Sequence, residues 1–190
     1  MFTLPTALTW ARILLIPLFV GVFFLPDQTL VMPDKNLIAT VVFVIAAITD
    51  WLDGYLARTL NQTSAFGAFL DPVADKLMVA AALIMLVELD RTSTVIALII
   101  IGREITISAL REWMAKVGAA RSVAVSMIGK VKTTAQMIAI PMLLYFDPLF
   151  GIDVGFIGGK LILIAAVLTV WSMVYYMRKA WPELRARKAV

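Results

Sequence analysis

Six stretches of about 20 mostly apolar residues follow one another along the chain, each the length an α-helix needs to cross the hydrocarbon core of a bilayer. They run roughly Thr6–Leu25, Asn36–Arg58, Ala68–Leu89, Thr92–Met114, Ile128–Phe146 and Phe156–Met177. The breaks between them carry turn chemistry: "PDQTLVMPDKN", "RTLNQTSAFG", "LDRTS" and "FDPLFGIDVG". Of the 190 residues, 62% are hydrophobic, where a soluble domain sits near about half. The expected fold is all-α: one domain over residues 1–190, a polytopic membrane protein with six transmembrane helices. No basic residue precedes Arg12, and no small-residue cleavage site follows the first stretch, so that stretch reads as a retained helix and not a secretory signal.

Lys and Arg set the expected orientation. Arg58, Arg111, Lys116, Arg121, Lys130, Lys132, Arg178, Lys179, Arg185, Arg187 and Lys188 fall on one side, and only Lys35, Arg91 and Lys160 on the other. The positive-inside rule then puts both termini in the cytoplasm, in a multi-pass protein of the cell inner (cytoplasmic) membrane. Trp171, Tyr175 and Tyr176 are expected in the aromatic belt at the cytoplasmic end of the last span. The net charge of +4 suits a face apposed to anionic lipid. The basic residues are not interleaved with stacking aromatics, so no nucleic acid partner is expected.

Against this background four carboxylates stand out. Asp50 and Asp53 are three apart near the end of the second stretch; Asp71 and Asp75 are four apart near the start of the third. On a helix both spacings put the pair on one face. The two spans run in opposite directions, so all four acids fall at similar depth, in the cytoplasmic third of the membrane. A single acid inside a membrane commonly belongs to an ion or proton pathway, or pairs with Lys or Arg. Four together repel, and each costs several kcal/mol to desolvate. Bound cations relieve both penalties, two ions about 4 Å apart being the usual arrangement. The chain has no Cys and no His, which removes disulfides, thiolates, imidazole bases and ordinary zinc sites. The cation must then be a hard one held by oxygen, Mg²⁺ or Mn²⁺, and any general base must be a carboxylate, Lys or Tyr. Gly54 and Gly67 flank the acids and allow close approach of a helix or substrate, Ala57 is small on the same face, and Arg58 is placed to meet an anion held by the metals.

The whole pattern is Asp50-x₂-Asp53-Gly54-x₂-Ala57-Arg58-x₈-Gly67-x₃-Asp71-x₃-Asp75. At average residue usage, eight specified positions match by chance roughly once in 10⁹–10¹⁰ start sites. "DWLDGYLARTLNQTSAFGAFLDPVAD" resembles the complete signature of the CDP-alcohol phosphatidyltransferases, with none of its eight fixed positions altered. The family's six-span layout also matches the one read from the apolar stretches. The resemblance implies a metal-dependent transferase that takes CDP-diacylglycerol and an alcohol and releases CMP. It implies Mg²⁺ or Mn²⁺ held by Asp50, Asp53, Asp71 and Asp75, with Asp75 also the base that deprotonates the acceptor hydroxyl. It implies that Gly54, Arg58 and Gly67 line the cytidine and phosphate side, and that the protein is a homodimer.

The acceptor is a separate question. "GREITISALREWMA" puts Arg103 mid-span, with Arg111 two turns later; "GKVKTTAQM" puts Lys130 and Lys132 at the start of the fifth span. Arg103 lies about 15 Å from its cytoplasmic helix end, near the depth of the acids. Its partner is either an anionic ligand or an internal acid, an Asp or the adjacent Glu104. Lys130 and Lys132 also fit the ordinary positive-inside bias. Together the four bases suggest a pocket for a phosphorylated acceptor. "REI", "ALRE" and "GKVKTTAQM" resemble the branch of the family that makes phosphatidylglycerophosphate, whose acceptor is sn-glycerol 3-phosphate. "LPTALTWARI" resembles that branch too, which would put Thr9 and Arg12 against the nucleotide. The competing expectation is a helix capped by Thr6 with Arg12 snorkelling to the surface.

Other readings make different demands. Serine as acceptor needs little basic lining, inositol phosphate marks another branch, and phosphatidylglycerol needs a second lipid path. A divalent-cation transporter needs access from both sides, whereas the acids here lie toward one side and the opposite halves of the spans are nearly uncharged.

Overall fold

The computed structural model describes residues 4–59, 65–116, 118 and 127–186. They form six helices: α1 (Leu4–Phe23), α2 (Met32–Thr59), α3 (Ala65–Glu88), α4 (Thr94–Lys116), α5 (Met127–Tyr145) and α6 (Val154–Ala186). Among the described residues there is no strand, only an isolated bridge between Leu149 and Ile152 in the α5–α6 turn. The helices close into a ring in the order α1, α2, α5, α6, α4, α3, and α3 also crosses to touch α2 and α5. The core runs through the middle of the ring. Phe19, Phe43, Ala82, Leu83, Leu86, Ile100 and Ile140 pack there. On α3, Met78, Ala82 and Leu86 recur every four residues, which is the spacing that lines one helical face.

The outward faces are also apolar. Leu14, Phe24, Ile84, Leu98 and Val167 are exposed. That much apolar surface suits lipid and not water. Three helices are long and apolar enough to cross a membrane, over Thr6–Phe23, Met32–Asp53 and Val154–Pro182. The other three, of 24, 23 and 19 residues, are comparable in length. They carry charges within the apolar run, among them Asp71, Asp75 and Lys76 on α3, Arg103 and Glu104 on α4, and Lys130 and Lys132 on α5.

The helix ends opposite the acids are tied together by polar contacts. Asp90 closes α3 in the left-handed region (φ 56°), so that the Arg91 amide reaches Leu86 O at 2.8 Å and the Asp90 amide reaches Val87 O at 3.0 Å. This paired closure satisfies two carbonyls the helix would otherwise orphan. It also delivers Arg91 to α5. The Arg91 guanidinium donates to Leu143 O (3.1 Å) and Leu144 O (2.7 Å), and to Asn36 Oδ1 of α2 (2.7 Å). It also lies over the Phe146 ring at 4.5 Å. Asn36 in turn donates to Asp147 (3.1 Å). Burial pulls the Arg91 pKa down and Asp147 acts to raise it, and the guanidinium stays charged. Ser93 and Asp153 cap α4 and α6 through the amides of Ile96 (3.3 Å) and Phe156 (2.8 Å). At Gly155 an added Cβ would meet the Phe146 ring at 3.0 Å, and at Gly158 it would meet Leu143 at 3.0 Å. These glycines let α5 and α6 approach closely at that end.

Candidate active site

α1 docks on the acids. Thr6, Thr9 and Arg12 recur every three residues and all three side chains are buried. The Arg12 guanidinium, 1% exposed, spans both acids of α2: Nη1 donates to Asp50 Oδ1 at 2.5 Å, and Nη2 donates to Asp53 Oδ2. Thr9 donates its hydroxyl to Asp71 of α3 at 2.5 Å. One helical face of α1 therefore reaches three of the four acids, which puts those acids at a common level. Arg12 does not snorkel, because a better partner than water lies inside the ring. Nor does Thr6 cap α1, which already begins at Leu4.

Asp53 is buried and Asp50 is 41% exposed. The pairing with Arg12 thus offsets a full desolvation cost at one acid and a partial one at the other. Asp75 is half-buried, and among the described residues it makes no hydrogen bond or ion pair. With Arg12 it lines a cleft walled by Phe43, Ala46 and Ala47 of α2, Met78 and Val79 of α3, and Met137 of α5. The cleft holds about 10 Å³, room for a single water. Pro72 interrupts the α3 hydrogen bonds in the turn between Asp71 and Asp75. Gly67 is buried in the first turn of α3. Gly54 and Arg58 lie on α2, with side-chain surroundings outside the described residues.

The four acids offer only carboxylate oxygen, the donor type that hard divalent cations take. Among the described residues, no three acidic side chains gather round one point. The cation that Asp50 and Asp53 hold here is Arg12.

A second polar cluster joins α4, α5 and α6. Arg103 is 6% exposed and Lys132 1%. Both donate to the same oxygen, Oε1 of Glu104, Arg103 Nη1 at 3.2 Å and Lys132 through Nζ. Arg103 Nη2 also reaches Ser172 Oγ of α6 at 3.3 Å, and Ser172 donates on to Thr169 O at 3.0 Å. Arg103 and Arg111 lie over the same Tyr176 ring, at 5.8 and 5.3 Å. Lys130 is exposed on the first turn of α5. Of the four bases expected to act together, Arg103, Lys132 and Arg111 are thus brought into one cluster, and Lys130 faces outward.

Glu104 is one of the two kinds of partner that the sequence allows Arg103. Nothing in the sequence points to Ser172, and Tyr176 departs from the expected belt. The expected aromatic belt keeps Trp171 exposed and Tyr175 half-buried, but Tyr176 is fully buried beneath the two arginines. Adjacent helical residues point about 100° apart, so the two tyrosines face different surroundings, and here Tyr176 turns inward. The sequence does not say which of the two does so.

The two clusters share α5, which carries Lys132 and sends Met137 to the wall of the cleft of Arg12 and Asp75. An apolar groove of about 290 Å³ opens beside them, between Phe43, Val44, Ala47, Ile48 and Trp51 of α2 and Met137 and Pro141 of α5. It shares Phe43, Ala47 and Met137 with the cleft of Arg12 and Asp75.

Residues 2–171 match the CDP-alcohol phosphatidyltransferase family. Over 185 residues, 96% of this chain and 97% of the relative, the chain is 50% identical to a CDP-diacylglycerol--glycerol-3-phosphate 3-phosphatidyltransferase of Escherichia coli (strain K12). Proteins of the same name from Shigella flexneri and Salmonella typhi are 50% and 51% identical over the same shares. The unbroken acid pattern, the helical frame that gathers it and a match over nearly the whole length agree: the chain belongs to the CDP-alcohol phosphatidyltransferase family.

Proposed function

We propose that the chain transfers the phosphatidyl group of CDP-diacylglycerol to sn-glycerol 3-phosphate, giving phosphatidylglycerophosphate and CMP. The observation that carries the reading is one helical frame that holds both the acid cluster, on α2 and α3, and the buried Arg103–Lys132 cluster. The names of relatives 50% identical over 96% of the chain support the choice of acceptor.

The Asp75 carboxylate, which lines the cleft and makes no hydrogen bond or ion pair among the described residues, takes the proton from the 1-hydroxyl of the acceptor. That oxygen bonds to the phosphorus carrying the diacylglycerol. The bond from this phosphorus to the bridging oxygen breaks, and CMP leaves with that oxygen. Arg103, Lys132 and Arg111 bind the acceptor's own phosphate, which does not react, and so orient its hydroxyl. Thr9 and Arg12 hold the acids and approach the nucleotide; Gly54, Arg58 and Gly67 border it. Asp50, Asp53, Asp71 and Asp75 would hold two Mg²⁺ or Mn²⁺ ions, which when bound supply positive charge to the pyrophosphate and to the leaving CMP. The groove between α2 and α5 lets apolar chains lie in lipid while the head group reaches the acids.

The same reading makes all six helices transmembrane spans of one domain in the inner membrane, with the acids toward the cytoplasm and both termini there. The Lys and Arg asymmetry supports it, although Arg121, Arg187 and Lys188 lie outside the described residues. A homodimer is proposed on the family resemblance. The test is CMP release by purified protein given CDP-diacylglycerol, Mg²⁺ and a panel of alcohols. Turnover is expected with sn-glycerol 3-phosphate, to stop with EDTA and to return with Mg²⁺ or Mn²⁺. Equal turnover with serine or free glycerol would sink the acceptor assignment, and full turnover without metal would sink the role of the acids.

A further inference from the structure

The two buried cations of the second cluster already hold an anion, and it is the chain's own. Glu104 Oε1 accepts from both Arg103 and Lys132. At 25% exposure against their 6% and 1%, its residue is the most open of the three. Arg111 joins them across the Tyr176 ring. The cluster counts three cations and one carboxylate, a net charge of +2. That balances a phosphate monoester, which carries about −1.5 to −2 near neutral pH.

Its donors are not used up. Among the described residues, Arg103 Nε and Arg111 Nε are buried with no hydrogen-bond partner, and of the three N–H groups of Lys132 one goes to Glu104. Buried donors left unpaired are costly, so the cluster is primed for more acceptor oxygen than Glu104 supplies.

We infer that Glu104 is a specificity-determining residue: an internal anion that an incoming acceptor must outcompete, so that dianions are admitted and monoanions refused. The inference rests on the reading of Arg103 and Lys132 as the site of the acceptor phosphate. A monoanion that displaces Glu104 exchanges one negative charge for another and forfeits a preformed geometry. A dianion gains a further charge against the same cations and supplies oxygens for the idle donors. A monoanion that binds beside Glu104 instead meets its repulsion with nothing to offset it. Refusal of monoanions works against the alternative and does not strengthen binding of the correct ligand.

The probes are methyl phosphate and methyl sulfate, of one shape but charged about −1.5 to −2 and −1 near neutral pH. Each is tested as an inhibitor of CMP release against varied sn-glycerol 3-phosphate. In the unaltered protein, methyl phosphate is expected to compete at least about tenfold better than methyl sulfate. Comparable inhibition by the two overturns the inference, and this arm needs no variant. Glu104→Gln keeps the shape and the acceptor oxygen but removes the charge. Methyl sulfate is then expected to inhibit about tenfold more strongly, while the KM for CDP-diacylglycerol holds. Glu104→Asp, which keeps the charge, is expected to keep the exclusion. A brace that only held Lys132 in place would give unchanged or weaker methyl sulfate inhibition in Glu104→Gln, and that result overturns the filter. The underlying site reading is checked separately by Lys132→Ala, expected to raise the KM for sn-glycerol 3-phosphate at least about tenfold. If Lys132→Ala leaves that KM unchanged, the site itself is elsewhere and the filter falls with it. If it raises KM while methyl sulfate still fails to gain in Glu104→Gln, only the filter is wrong.

Discussion

Three of the four acids are engaged by side chains of α1 and the fourth is not, which divides their roles more clearly than their spacing does. Asp50 and Asp53 hold Arg12, and Asp71 accepts from Thr9. Asp75 lines the cleft and makes no hydrogen bond or ion pair among the described residues. A carboxylate already bound to a guanidinium makes a poor base; an uncommitted one facing the substrate space does not have to break a contact first. Asp75→Asn is expected to lower kcat by about 10²–10⁴-fold, with a smaller change in the KM for CDP-diacylglycerol. Steady-state CMP release measures it, and a wild-type kcat in the variant would remove Asp75 from the reaction. At this scale the sequence was most legible where residues repeat at a helical spacing, as in the acid pairs; that Thr9 and Arg12 engage those acids was not foreseen. It was least legible where the choice was between neighbours, as between Tyr175 and Tyr176, because facing in or out is decided by a partner helix distant in sequence.

At the scale of the helix, apolar length located all six elements, and their boundaries erred where charge and backbone disagree. The last stretch was expected to end at Met177, where basic residues begin, yet α6 continues to Ala186. Hydrogen bonding of the backbone carries on past the apolar limit, and 33 residues make about 50 Å of helix, longer than a bilayer core needs. The second stretch was expected from Asn36, yet α2 starts at Met32, because Pro33 is tolerated in a first turn. The seating of α1 was harder to read, since a nearly all-apolar helix does not announce its inner face. Its polar anchor is Arg12, and removing it takes the guanidinium partner from the buried Asp53. Arg12→Ala is expected to cost about 3–5 kcal/mol, the usual loss when one partner of a buried pair is removed. Arg12→Lys should recover part of that, since an ammonium restores the charge but not the two-pronged grip on Asp50 and Asp53. Thermal unfolding in detergent reads both, and an unshifted midpoint in Arg12→Ala would mean that α1 is held by its other contacts without Arg12.

Across the whole molecule, the order of helices round the ring was not legible at all. Every helix is apolar toward lipid as well as toward its neighbours, so a stripe pattern cannot say that α2 meets α5 or that α4 meets α6. The structure shows the ring pinned far from the acids. Arg91, counted in the sequence only as a basic residue on the sparse side, ties the α3–α4 turn to the end of α5 and the start of α2. The polar clusters that we assign to substrate lie toward the other end, where Arg12 and Glu104 are the cross-ties. One end is therefore scaffold and the other is site, and the two should separate experimentally. Arg91→Ala orphans the carbonyls of Leu143 and Leu144 and the side-chain oxygen of Asn36, and forfeits the stacking on Phe146. The expected loss is at least about 2 kcal/mol, given 1.5–3 kcal/mol for a hydrogen bond from a charged group and incomplete additivity. Arg91→Lys should rescue little, because an ammonium lacks the planar fork that meets two carbonyls and an amide together. The unfolding midpoint is thus expected to fall in both variants, while the KM for each substrate and the turnover per folded molecule stay at the wild-type values. If Arg91→Ala instead kept its midpoint and lost turnover, this end of the ring would be part of the working site and the division between scaffold and site would be wrong.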